Sequence, residues 1–142
     1  MIVTNMIVGG GDGINTLDFE VVGEPESQNG WKVAHKRFRI PIVYDPKAKA
    51  KKALKRLLIS QIAGLNGATP FFTRSENPRL SVRIGFYFKT TTRKDLDNMA
   101  KFILDAMKEA CYEDDRFIYN IVLFKEETGE NEDAKTVVTI VD

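Results

Sequence analysis

The sequence predicts an α/β fold of the mixed α+β kind: a small mixed β-sheet with two main helices packed on it, in a single domain. Three observations carry this. Residues 80–88 alternate apolar and polar side chains with period two. Residues 45–63 and 96–107 each carry an apolar stripe at helical spacing. Shorter strand-like runs at 17–22, 117–124 and 136–141 fall around those helices, so the order reads β-(β)-α-β-α-β-β. A chain of 142 residues, 43% hydrophobic, is long enough for one core and too short for two.

Residues 1–16 read as a flexible N-terminal extension and residues 17–142 as the folded domain. Residues 1–8 are apolar but lack a basic leader and are too short to span a bilayer. Gly9-Gly10-Gly11-Asp12-Gly13 reads as a flexible loop. A phosphate cradle would need a helix behind it, and no helical pattern follows. Leu17, Phe19 and Val21 then line one side of a first strand. After a polar turn at 24–29, residues 31–43 read as extended and carry Lys32, Lys36, Arg37 and Arg39. His35 among these bases suits a surface or phosphate contact better than catalysis.

Asp45-Pro46 predicts a helix start, with Asp as N-cap and Pro at the first helical position. The helix should run to Ala63 and stop at Gly64. Its lysines either form a solvated face or contact nucleic acid. Residues 67–78 form a loop holding Phe71-Phe72, packed or exposed. The second helix carries Leu96, Met99, Ala100, Ile103, Leu104 and Met107 as one stripe. Residues 117–124 and 136–141 should then make an antiparallel hairpin around the acidic turn 126–133.

Charge divides sharply along the chain. Residues 1–94 hold 16 Lys/Arg and 7 Asp/Glu, a net of +9, and residues 95–142 hold 5 and 13, a net of −8. Such a division suits a basic part that grips phosphates and an acidic part that holds a cation. The lone Cys111 excludes an internal disulfide and a cysteine zinc site, and points to a reducing, cytoplasmic setting.

The acids are concentrated in Asp95-Leu96-Asp97 and Glu113-Asp114-Asp115, one before and one after the second helix. Converging carboxylates repel each other, and a divalent cation between them is the usual compensation. Two residues apart on a helix point about 200° apart, so Asp95 and Asp97 can share an ion only if Asp95 is still extended while Asp97 lies in the first turn. The helix N-terminus offsets part of their charge. Lys101, four residues after Asp97, is spaced to meet a scissile phosphate, or simply to pair with Asp97. All-oxygen ligands suit Mg2+ or Mn2+. The bases Lys89, Arg93 and Lys94 directly precede the acids and, with Lys36, Arg37 and Arg39, are the expected DNA contacts.

The run Arg93-Lys94-Asp95-Leu96-Asp97-Asn98-Met99, then Lys101, Leu104-Asp105-Ala106-Met107 and Tyr112-Glu113-Asp114-Asp115, resembles the RusA family of Holliday-junction resolvases. The resemblance spans residues 17–142. It departs from the family pattern at Glu109-Ala110-Cys111, where many members carry an asparagine-glycine turn, and in the glycine-rich N-terminus. It implies a homodimeric, Mg2+-dependent endonuclease that binds four-way or other branched DNA and nicks two strands symmetrically, in recombination and repair. Asp95, Asp97 and Asp115 would be metal ligands, Asp114 an auxiliary one, and Lys101 the phosphate contact. The competing readings are a non-catalytic DNA-binding phage accessory protein and a nuclease for another branched DNA. Phe71, Phe72 and Met107 are candidates for a dimer interface, with the core as the alternative for Met107.

Overall fold

A computed structural model of the chain describes residues 1–11, 13–28, 32–35, 41–73 and 77–142. Strands β1 (Ile2–Gly11), β2 (Ile14–Val22), β5 (Leu80–Phe88), β6 (Ile118–Glu127) and β7 (Lys135–Val141) form one mixed sheet in the order β1-β2-β7-β5-β6. β3 (Lys32–His35) and β4 (Pro41–Tyr44) pair separately as a two-stranded ribbon. Helices α1 (Ala48–Asn66) and α2 (Leu96–Met107) supply the second layer. The predicted mixed sheet with two helices in one small domain is the fold observed.

The alternation in the sequence places the core. Leu80, Val82, Ile84, Phe86 and Phe88 of β5 are buried, level with Val138 and Ile140 of β7, which face Phe19 and Leu17 of β2. α1 lays Leu54, Leu58 and Ile62 on this layer, and α2 adds Met99, Phe102, Ile103, Ala106 and Met107. A side chain of this size, fully buried, contributes about 1.5–3 kcal/mol. The opposite face is thinner. There Phe124 packs over Gly85, whose missing side chain leaves room for the ring, between Arg83 and Tyr87.

Four sequence expectations change. Residues 1–11 are not a flexible extension: they form β1, antiparallel to β2, with Gly13 in a left-handed turn between them and Gln61 Nε2 of α1 donating to the Val3 carbonyl. The glycines at 9–11 need no helix behind them, because they end a strand. α1 starts two residues later than expected and runs past Gly64 to Gly67, the residue in the left-handed C-cap conformation. Asp45 acts just upstream, accepting from the Lys47 N–H and from Gln28.

The fourth change sets the site. β6 and β7 are not a hairpin. β6 runs parallel to β5, as a strand reached through a helical crossover does, and β7 takes the other edge of β5 in antiparallel pairing. The acidic segment after β6 crosses the end of β5, where Thr128 donates from both its N–H and its hydroxyl to the Phe88 carbonyl. Phe72 and Met107 are core residues, and Phe71 meets Phe72 edge to face. No helix among the described residues is long and apolar enough to cross a membrane.

The turn after α2 contains Glu109 at φ 72, a conformation that suits Asn or Gly. The left-handed conformation costs an ordinary residue about 1–2 kcal/mol, and less for asparagine, whose short polar side chain bonds the local backbone. Glu109→Asn should therefore raise stability by up to about 1 kcal/mol, and Glu109→Val should lower it by at least as much. Urea unfolding of the three proteins decides this, and a valine variant as stable as the parent would remove strain from the account.

Candidate active site

Two parts of the chain hold the predicted site residues, and α2 fixes the distance between them. Asp95 is the last extended residue before the helix, at φ −79 and ψ 140, and its side chain makes no capping bond. Asp97 lies in the first turn. This is the arrangement the spacing demanded: one acid extended, the next helical, both exposed at a positive helix terminus. Lys101 is exposed one turn further on, and Asp105 one turn beyond that.

Asp114 and Asp115 lie at the opposite end. Asp114 opens the short 3-10 turn Asp115–Phe117, and its carboxylate accepts from the Arg116 N–H. Asp115 is the first residue of that turn, three residues before β6 begins at Ile118. Because α2 returns antiparallel to β5 and β6, its twelve residues separate the two acid pairs by about 18 Å. Among the described residues no three acids, histidines or cysteines lie close enough to hold a metal ion. The four predicted ligands Asp95, Asp97, Asp114 and Asp115 are thus not brought together within one chain. Spacing showed that each pair exists; only the direction of the crossover shows that the pairs lie at opposite ends of α2.

Asp115 has company that the sequence reading did not assign to it. Although its side chain is exposed, the surrounding protein raises its pKa by desolvation; Asp105 and Asp114 raise it further, while Lys108 and the Tyr112 hydroxyl lower it. Tyr112 is buried, kept protonated chiefly by that burial, and its hydroxyl donates to the Leu104 carbonyl. Asp105 in turn is held at 3.0 Å by Lys51, which also contacts Asp45. The clue to Asp105 was its place eight residues after Asp97 on the same helix face.

The basic residues divide. Lys49, Lys52 and Arg56 of α1 are exposed, whereas Lys47, Lys51 and Lys55 pair with Glu26, Asp45 and Asp105, and Glu109. Lys89 and Arg93 are exposed beside the acids. Lys94 turns inward: its ammonium donates to the Pro25 carbonyl at 2.7 Å and lies over the Phe88 ring. Lys125 of β6 donates to the Lys94 carbonyl, so the acids at the start of α2 sit level with the end of β6. A cleft of about 480 Å3 opens there, between Thr90, Thr91, Thr92 and Lys125. Lys36, Arg37 and Arg39 lie outside the described residues, as does the His35 side chain.

With metal removed by chelator, the Asp115 carboxyl should titrate above the ordinary 3.8. Asp105→Asn should bring its midpoint down and Lys108→Ala should take it up, as followed by NMR of the carboxyl carbon. The reverse order in the two variants would mean that Asp105 and Lys108 do not surround Asp115.

A search of curated proteins found no match for the chain. The family model for endodeoxyribonuclease RusA does match it, over residues 23–141, which include both acid pairs, Lys101 and every strand from β3 to β7. A match over nearly the whole chain establishes that the chain belongs to the RusA family of endodeoxyribonucleases, enzymes that hydrolyse DNA.

Proposed function

We propose that this endonuclease is a Mg2+-dependent homodimer that resolves Holliday junctions by paired symmetric nicks, in the cytoplasm and in the service of recombination and repair. Residues 17–142 would form the nuclease unit, with β1 added to its edge. The observation that carries the reading is the separation of the acids to the two ends of α2. The donors are hard oxygens, as Mg2+ requires, but one chain presents them as two incomplete halves. A second copy completes the set if Asp95 and Asp97 of one protomer meet Asp115, with Asp114 beside it, of the other. A four-way junction has two equivalent strands to cut, and a twofold dimer built this way has two equivalent sites.

The roles follow from position. Asp95 and Asp97 present their carboxylates from a helix N-terminus that offsets their charge. Lys101 stands one turn along the same face, where an ammonium contacts the scissile phosphate. Lys89 and Arg93 precede the acids and hold the backbone on either side. When bound, Mg2+ would acidify a water and stabilise charge on the phosphoryl group.

Mixing inactive proteins tests the reading. Asp95→Asn and Asp115→Asn should each nick a synthetic four-way junction negligibly, as should the parent in excess EDTA. Mixed after brief unfolding and joint refolding, they should recover roughly a quarter of the parental nicking, since half the dimers are mixed and each has one intact site. If the mixture stays as inactive as its components, each chain carries a whole site of its own.

A further inference from the structure

We propose that Lys49, Lys52 and Arg56 form a cationic row along α1 that holds the phosphate backbone of a duplex DNA arm outside the active site. This rests on the chain's membership of a DNA-hydrolysing family, and it is independent of whether two chains share one acid set.

α1 carries no acid in its nineteen residues, although six bases stand between positions 47 and 56. The structure sorts the six. Lys47 meets Glu26 at 2.7 Å, Lys51 meets Asp45 and, at 3.0 Å, Asp105, and Lys55 meets Glu109 at 3.5 Å. Lys49, Lys52 and Arg56 are exposed and have no ion partner among the described residues. At about 100° per residue, these three fall within an arc of about 60°, on the side away from Leu54, Leu58 and Ile62.

The helix by itself gains nothing from this arrangement. Like charges three and four residues apart oppose each other, and cations in the first half of a helix oppose its dipole. The first turn holds no acid to offset them. An anion lying across the row relieves both effects.

The kind of anion follows from what stands among the cations. Ala53 and Ser60 are exposed on the same side, and no large apolar side chain interrupts the row. A protein partner needs aromatic or aliphatic anchors that this crest lacks, whereas a DNA backbone needs only cations. From 49 to 56 the row rises about 10 Å, the span of about three phosphates of one strand at about 3.4 Å each.

The row also lies beside the acids. Because Lys51 meets Asp105 and Lys55 meets Glu109, α1 and α2 run side by side in the same direction. The row is thus next to the outer face of α2, which presents Asp97 and Lys101. Lys47 on Glu26 and Lys94 on the Pro25 carbonyl tie the starts of both helices to one short segment. DNA held at the start of α2 therefore has α1 alongside it.

Binding across a salt series tests the row. With Lys49→Gln, Lys52→Gln and Arg56→Gln combined, a synthetic four-way junction and a linear duplex should each bind, in EDTA, with a log–log slope lower by about 2.7. At about 0.1 M salt the affinity should fall at least tenfold on both. The nicking rate at saturating protein with Mg2+ should stay within about twofold, as the loss of uniform binding requires. Glutamine is as good a helix former as lysine, so the thermal transition should hold. Should it fall, Lys52→Gln alone decides, with about 0.9 expected off the slope. Lys51→Gln, which removes a strut, should keep the parental slope, as should Lys49→Arg with Lys52→Arg. A parental slope in the triple variant would make the row a solvated face and overturn the proposal. Lost nicking at saturation would place the three cations in the chemical step and overturn it too. A parent that binds the junction no better than the duplex would overturn the junction reading alone.

Discussion

The antiparallel return of α2 between two parallel strands is the constraint on which the rest of this molecule depends. β5 and β6 can lie side by side in parallel only if the chain is carried back between them, and a helix with one continuous apolar stripe does this while burying Met99, Ile103 and Met107 on the sheet. The same burial turns Asp97, Lys101 and Asp105 to solvent. It also places the acids before the helix and the acids after it at opposite ends of the sheet. Chemistry and core are therefore written on the two faces of one helix.

Around that helix the cations are sorted by their neighbours. Lys51 bridges Asp45 and Asp105, joining the segment before α1 to the outer face of α2, and Lys94 ties the loop before α2 to the Pro25 carbonyl. These lysines fix the surroundings of the acids, whereas Lys89, Arg93 and Lys101 stay exposed around the start of α2. A basic count in a sequence does not separate struts from contacts. Burial and partners do.

The turn between α2 and β6 shows how a left-handed residue is absorbed. Glu109 holds a backbone conformation that asparagine or glycine adopts at lower cost, yet the turn keeps its hydrogen bonds: the Glu109 N–H donates to the Tyr112 carbonyl and the Cys111 N–H to that of Met107. Tyr112 stays in the core with its hydroxyl beneath Asp115. The second acid pair thus keeps its support although Glu109 is left-handed.

Much of this was determined by the sequence alone. Period-two alternation gave β5 to the residue, and one apolar stripe gave α2 from Leu96 to Met107. Asp95 and Asp97 could share an ion only if one were extended and the other helical, and they are so placed. These are local properties, decided by backbone geometry and by which face is apolar. Tertiary structure alone decided what depends on partners remote in the chain. It drew residues 2–11 into a strand, because β2 had a free edge, and it set β5 between β6 and β7. It also placed Asp105 with Asp115 and not with Asp95. A sequence records the spacing of carboxylates along the chain, but the direction in which each element returns decides which of them meet.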